Sequence, residues 1–295
     1  MSLFAPFLVV GAGKMGGSIL SALLQQAAQS FSQHTDGSHA DLSPADGSTR
    51  ALFLSPDDLT VVDPAPPDDV REMLERVGCP PQAEIELSAP PALVMVGVKP
   101  QMMSAVLSEL RGHVGGETLV LSIAAGKTLA DLAADLPPET PIVRAMPNTP
   151  ISVQAGMTVF VANEFVVPAQ KNKLTQLFAP TGAVAWLQDE RSMDAVTAVS
   201  GSGPAYVFWL AECLTKAGVE AGLDEDLALQ LAENTIFGAG RLMTSAADVP
   251  AVLRENVTSK GGTTAAALEV LMAEDGFEGL LSEAVQAAVK RAKEL

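Results

Sequence analysis

The sequence predicts an α/β protein in which a parallel β-sheet with helical crossovers precedes an all-α domain. In residues 1–160, short apolar runs alternate with helical patterns, which is typical of a parallel sheet with right-handed crossovers. From about Ser192 onward, only helical patterns remain. Because 295 residues are enough for two domains, we expect one domain over residues 1–190 and a second over residues 191–295.

The elements of the first domain follow from these apolar runs. Residues 7–10 are four consecutive apolar residues and predict a buried strand, and residues 14–26 repeat apolar side chains on one helical face. A helix over 68–77 is closed by Gly78. Further strands are expected at 59–62, 93–98, 118–123, 142–145 and 157–161. Helices of the second domain are expected at 204–221, 224–246, 249–256, 263–273 and 277–295.

Residues 28–56 interrupt this alternation. They are rich in Ser, Asp, Gly and His and lack periodicity, which predicts a surface insertion between the first helix and the second strand. His34 and His39 lie inside it, and a metal site would need further ligands. We therefore expect solvated histidines and no metal.

The charge balance excludes several classes of function. Acidic residues outnumber basic ones 35 to 18, so a net charge of −17 repels nucleic acid and anionic membranes. The sequence contains no run of about 18 uninterrupted apolar residues, so we expect no membrane-spanning helix. The first ten residues lack the cationic region of a secretory signal, and Cys79 and Cys213 stand alone. These features predict a soluble, cytoplasmic enzyme.

A glycine motif follows the first predicted strand. In the segment from Gly11 to Gly16, Gly11 permits a tight turn, Gly13 lets a pyrophosphate approach the backbone, and Gly16 lets the helix pack on the strand. Lys14 and Met15 open the helix whose N–H groups would face the phosphates. The motif favours a Rossmann-type, dinucleotide-binding domain, although a purely structural turn remains the alternative.

Asp63 ends the second predicted strand. An acidic residue at this place normally accepts hydrogen bonds from the ribose hydroxyls, and its charge opposes a 2′-phosphate. This interpretation favours NADH over NADPH. The alternative is a turn or helix-capping role before Pro64.

Two stretches of small residues mark the helical half. Residues 200–206 and residues 258–264 each end at a helix start, where free N–H groups and hydroxyls suit a carboxylate. From spacing alone, simple capping by Ser and Thr is the favoured interpretation. His113 has no nearby nucleophile motif, so no catalytic triad competes with dinucleotide chemistry.

At these motifs the sequence resembles the pyrroline-5-carboxylate reductase family. The resemblance covers nearly the whole chain apart from the insertion, and its long SGSGPAY and VTSKGGTT blocks separate this family from other Rossmann dehydrogenases. The matching blocks are GAGKMG (11–16), VGVKP (96–100), SIAAG (122–126), RAMPNTP (144–150), VTAVSGSGPAYVF (196–208) and ENVTSKGGTTAAALEVL (255–271).

The resemblance implies an activity and its residues. Hydride would pass from NADPH or NADH to the C=N carbon of (S)-1-pyrroline-5-carboxylate, giving L-proline in the last step of proline biosynthesis. The implied cofactor-binding residues beyond the glycine motif and Asp63 are Val98, Lys99, Pro100, Ala124, Ala125 and the segment from Met146 to Asn148. The implied residues that hold the substrate carboxylate are Ser259, Gly262, Thr263 and Thr264. The Thr264 hydroxyl would bond the ring nitrogen, as the one implied catalytic residue.

Two departures from the family pattern bear on these roles. Asp63 and Pro64 stand where many relatives carry an Asn-Arg pair suited to a 2′-phosphate, so the usual NADPH preference is in doubt. Lys260 replaces the proline commonly found before the Gly-Gly pair, and either adds positive charge beside the carboxylate or points to solvent.

The resemblance also implies a homodimer built from the helical domains, often assembled further into a ring of dimers. The segment 205–217 is apolar around most of its circumference, as expected where two chains share a core, although burial within one chain would give the same pattern. Two alternatives remain: a related imine or 3-hydroxyacid dehydrogenase, and a dinucleotide-binding protein without catalysis. A 3-hydroxyacid enzyme would need a lysine base, but neither Lys216 nor Lys260 lies in a matching motif.

Overall fold

The computed structural model describes residues 3–35 and 54–294. It contains two compact units, one formed by Met1–Gly201 with Arg291–Leu295 and the other by Ser202–Lys290. The first holds a β-sheet flanked by helices, and the second is entirely helical. The α/β class with a helical C-terminal region is therefore confirmed.

Seven strands form a single sheet in the first unit, in the order β2-β1-β3-β4-β5-β6-β7. They are β1 Phe7–Val10, β2 Leu59–Val62, β3 Leu93–Val96, β4 Leu119–Ser122, β5 Ile142–Pro147, β6 Gly156–Ala162 and β7 Gly182–Trp186. Strands β1 to β5 are parallel, whereas β6 runs antiparallel to β5, and β7 lies parallel to β6. The sheet is therefore mostly parallel, as predicted, and the chain reverses at β6 because residues 148–155 are too few for a helical crossover.

Helices cover both faces of this sheet. They are α1 Lys14–Thr35, α2 Asp68–Arg76, α3 Met103–Leu110, α4 Leu129–Ala134, α5 Pro168–Phe178 and α6 Met193–Val196. Side chains alternate along each strand, so Phe7 and Val9 pack toward α1, α2 and α5. Leu8 and Val10 pack toward α3 and α4.

The first helix is longer than its sequence pattern predicts. Residues 28–35, assigned above to the insertion, continue α1 in the structure. The remainder of the predicted insertion up to residue 53, including His39, lies outside the described residues, as does the side chain of His34.

The strand register brings several chain turns to one edge of the sheet. Val10 pairs with both Val62 and Val96, and Val96 pairs with Ser122. The segments that follow β1 to β4 therefore emerge side by side. In open α/β sheets, ligands bind at this carboxyl edge.

The second unit consists of five helices: α7 Gly203–Glu220, α8 Glu225–Ser245, α9 Pro250–Asn256, α10 Thr263–Leu271 and α11 Phe277–Ala292, whose last residues group with the first unit. Helices α7 and α8 approach closely, since a Cβ added at Gly218 would lie 3.2 Å from the Cβ of Ala228. Ala228 and Ala232 are the only apolar residues buried among Ser202–Lys290. No helix in the described ranges has the length and apolar character needed to cross a bilayer.

Candidate active site

The glycine motif forms the turn between β1 and α1. Gly11 has a φ of +90°, a conformation that residues with a side chain rarely adopt, and its N–H donates to the Val62 carbonyl at 2.9 Å. A Cβ on Gly16 would lie 2.5 Å from the Gly11 carbonyl oxygen, so this glycine lets helix and strand meet. A Cβ on Gly13 would meet nothing within 4 Å. Open space therefore adjoins the loop at the residue where the sequence predicts the pyrophosphate.

Asp63 lies at the same edge and contacts the glycine loop. Its Oδ2 accepts a hydrogen bond from the Ala12 N–H at 2.7 Å, and its Oδ1 accepts one from the Ala65 N–H at 2.9 Å. The second bond is an Asx turn, so the turn role considered for Asp63 is present. An ionised carboxylate offers about four acceptor positions, so these two bonds leave capacity for further donors.

The segments after β3 and β4 continue this edge. Val98, Lys99 and Pro100 follow β3, with Val98 half-buried and Lys99 exposed. Ala124 and Ala125 follow β4, and the Ala124 N–H donates to the Ser122 hydroxyl at 3.3 Å. The predicted cofactor residues that follow β1, β2, β3 and β4 are thereby brought together along one edge.

A capping box closes the loop after β4 at the start of α4. The Thr128 hydroxyl accepts from the Asp131 N–H, while the Asp131 carboxylate accepts from the hydroxyl and the N–H of Thr128. These two donated bonds hold the pKa of Asp131 below its ordinary value, with Lys127 and Arg144 adding smaller effects. The end of the loop that carries Ala124 and Ala125 is therefore held in place by the hydrogen bonds between Thr128 and Asp131.

Asn148 follows β5 and joins three segments. Its side-chain amide donates to the Ser200 carbonyl at 3.2 Å, and its carbonyl oxygen accepts from the Met157 N–H at 2.8 Å. Ser200 belongs to a π-helix, Thr197–Gly201, a form often found at functional sites. Nearby, Met146 is buried against Met193. The contact with Ser200 was not predicted, although both residues lie in blocks shared with the family.

The VTSKGGTT block begins helix α10 in the helical unit. Gly262 is the residue before the helix and has no side chain to accept from the first-turn N–H groups. The capping by Ser or Thr that spacing favours is therefore wrong at α10, and at α7 Ser202 likewise makes no side-chain capping bond. Ser259, Lys260 and Thr263 are exposed, and Thr264 is half-buried. The N–H groups of this turn thus lie beside the hydroxyls predicted to bind a carboxylate.

Comparison with known proteins identifies the family. Residues 190–295 match the family model for pyrroline-5-carboxylate reductase dimerisation. The pyrroline-5-carboxylate reductase of Pseudomonas aeruginosa is 43% identical over 214 residues, which are 72% of this chain and 78% of that protein. The chain belongs to the pyrroline-5-carboxylate reductase family. The Synechocystis pyrroline-5-carboxylate reductase is also 43% identical, over 203 residues that cover 69% of this chain and 74% of that protein.

The fold of a solved member extends along the whole chain. The structure of a pyrroline-5-carboxylate reductase from Coxiella burnetii superposes with a TM-score of 0.82 at 32% identity, covering 98% of each chain. The family resemblance seen in the sequence is therefore confirmed.

Proposed function

We propose that this chain reduces (S)-1-pyrroline-5-carboxylate to L-proline with a nicotinamide dinucleotide, the last step of proline biosynthesis. The observation that carries the proposal is the presence, in a member of this family, of both an open glycine loop at Gly13 and an uncapped helix start at Gly262. A catalytically inactive relative would be expected to have lost one of them.

The first unit fits a dinucleotide along its sheet edge. Gly13 leaves space beside the backbone, and the first turn of α1 presents N–H groups suited to phosphates. Ala124, Ala125 and Asn148 would lie nearer the nicotinamide, because β4 and β5 are farther along the sheet from β2. When bound, the reduced cofactor supplies the hydride.

In the proposed reaction the substrate is a protonated imine, which is already electrophilic. Hydride adds to the C=N carbon, the π-electron pair moves to nitrogen, and the cofactor is left oxidised. The first-turn N–H groups of α10, with Ser259 and Thr263, hold the substrate carboxylate. The Thr264 hydroxyl hydrogen-bonds the ring nitrogen and positions its proton. The protein's contribution is therefore mainly orientation and charge complementarity.

Asp63 supports a preference for NADH. Its negative charge opposes a 2′-phosphate, and its remaining acceptor capacity suits ribose hydroxyls. Pro64, which follows it, offers no positive charge to a phosphate. We therefore propose NADH as the better cofactor, with NADPH as the alternative.

The helical unit supports a homodimer. Its two buried apolar residues are alanines, whereas large apolar side chains are exposed along it, including Phe208 at 62% and Trp209 at 64%. A groove of about 900 Å³ between α7 and α8 has apolar side chains such as Phe237 in its lining, together with four glutamates, Thr215 and Lys216. Such a surface is typical of a chain whose core is completed by a second copy. A ring of dimers is the proposed next level of assembly.

Two free cysteines support a reducing compartment. Cys79 is buried, where desolvation raises the pKa of its thiol, and Cys213 is exposed without a disulfide partner. We propose the cytoplasm as the location on this basis.

Initial-rate oxidation of NADH and NADPH, each with and without pyrroline-5-carboxylate, tests the activity. Substrate-dependent oxidation by the purified dimer is expected, with the larger kcat/KM for NADH. A folded oligomer that binds nucleotide but oxidises neither cofactor would instead support the non-catalytic alternative or a different imine substrate.

A further inference from the structure

Arg144, on β5, is the only charged residue that is buried among residues 3–25 and 54–294, whose side chains the structure describes. It is 6% exposed, and its guanidinium forms an ion pair with Glu190, in the short turn that follows β7. A buried charge is unfavourable unless it is paired and hydrogen-bonded, so Arg144 depends on this carboxylate.

Glu190 makes a second contact through the same oxygen. Its Oε1 also accepts a hydrogen bond, at 2.7 Å, from the N–H of Leu129, the first residue of α4. Ladder pairing between β4 and β5 ends at Ser122 and Arg144. Beyond that point, one carboxylate oxygen connects β5 to the end of the loop that follows β4.

The contacts of Glu190 with Arg144 and Leu129 adjoin the residues proposed to face the nicotinamide. Arg144 and Met146 share one face of β5, because side chains alternate along a strand. Met146 forms a buried cluster against which Ala125 and Leu129 pack. Movement of Leu129 or Arg144 would therefore shift the loop at Ala125 and the end of β5 together.

We propose that Arg144 and Glu190 form a positioning pair that fixes the nicotinamide side of the cofactor site. The proposal rests on the proposed function, because that assignment places Ala125 and the end of β5 beside the nicotinamide. The pair touches neither cofactor nor substrate in this assignment. Its effect is to hold the two segments in one relative position, and hydride transfer is sensitive to displacements of about 1 Å.

A neighbouring ion pair provides a matched control. Arg191 pairs with Asp189 in the same turn, but its side chain is 90% exposed. Exposed pairs of this kind contribute little, so Arg191→Gln should leave both the melting temperature and kcat unchanged.

The experiment compares Glu190→Gln, the double variant Arg144→Met with Glu190→Met, and Arg191→Gln. For each variant one measures the melting temperature, kcat, the KM for both substrates, and the dissociation constants for the intact oxidised dinucleotide and for ADP-ribose. ADP-ribose lacks the nicotinamide and reports on the glycine loop and Asp63 alone.

We expect Glu190→Gln to lower kcat by roughly tenfold or more, in line with the cost of misplacement. Binding of the intact dinucleotide should weaken relative to binding of ADP-ribose. The dissociation constant for ADP-ribose should stay within about twofold, because Asp63 holds the glycine loop, whereas Glu190 contacts Arg144 and Leu129. The double variant removes the buried charge, so it should recover the melting temperature lost in Glu190→Gln without recovering kcat.

A purely structural pair would behave differently. In that case kcat would return together with the melting temperature in the double variant, or Glu190→Gln would retain wild-type kcat, and either result overturns the proposal. If the wild-type protein reduces no pyrroline-5-carboxylate, the proposed function fails instead. The ratio of the two dissociation constants then still decides whether the pair orders the nicotinamide side.

Discussion

The backbone N–H of Ala12 donates a hydrogen bond of 2.7 Å to the carboxylate of Asp63, so the end of β2 holds the glycine loop of β1. The two residues are 51 positions apart in the chain. The same carboxylate supplies the negative charge expected to discriminate between cofactors. One side chain therefore combines an observed structural role with the proposed specificity role, and a substitution must separate them.

Substitution of Asp63 should change the cofactor preference. Asp63→Asn keeps an oxygen that can accept from Ala12 but removes the charge, so kcat/KM for NADPH relative to NADH should rise by about tenfold, equal to about 1.4 kcal/mol. Asp63→Ser should raise the same ratio but weaken the binding of both cofactors, because the shorter side chain no longer holds the glycine loop. Parallel initial rates measure this, and an unaltered ratio in both variants would show that Asp63 does not face the ribose.

Alanine substitutions at two glycines of the loop should have different effects on stability and on dinucleotide binding. Gly13→Ala places a Cβ in open space, so the melting temperature should stay unchanged while the dissociation constant for the dinucleotide rises. Gly16→Ala places its Cβ against the Gly11 carbonyl and should lower the free energy of unfolding by about 1–3 kcal/mol. Thermal melts and nucleotide titrations distinguish them. Tight binding by Gly13→Ala would argue against a pyrophosphate at this position.

Removal of the Thr264 hydroxyl should affect turnover and spare nucleotide binding. Thr264→Ala should lower kcat by roughly 10²-fold, the lower end of what a positioned proton-transfer group contributes. The dissociation constant for the dinucleotide should not change, since Thr264 lies in the helical unit. Thr264→Ser retains the hydroxyl and should recover most of the rate. An undiminished rate in the alanine variant would remove Thr264 from the mechanism.

Trp209 should report on association. It is 64% exposed in the single chain, and the sequence contains only one other tryptophan, Trp186. In Trp186→Phe, fluorescence of Trp209 should be blue-shifted at high protein concentration and shift to the red on dilution, as the dimer dissociates. Sedimentation over the same concentrations is the control. A monomer at assay concentration, with unchanged emission, would contradict the proposed dimer.

The central sheet was predictable because its strands are continuous apolar runs. Strands β1 to β6 lie within two residues of the expected ranges, and the helical half follows its periodicity equally well. Strand β7 was not predicted because it is a half-buried segment of mainly small residues at the sheet edge. The reversal at β6 depends on the shortness of the connection from β5, which an apolar pattern does not encode.

Long-range polar contacts were less accessible to sequence reasoning. The acidic end of β2 indicates a ribose contact, but nothing in the pattern shows that Asp63 also holds Ala12. Likewise, three charged residues occur together at 189–191, and the sequence does not distinguish Glu190, which pairs with buried Arg144, from Asp189, which pairs with exposed Arg191. Such choices depend on segments that meet only after the sheet has formed.

The helical unit, whose interior contains two alanines, has a thermodynamic consequence. So small an apolar interior cannot offset the conformational entropy of nearly ninety residues, so in the proposed dimer the folding of this unit and the association of two chains would be one equilibrium. By mass action, the midpoint of thermal unfolding should then rise with protein concentration. For the proposed dimer, the cellular abundance of this chain would thus set how much of its helical unit is folded.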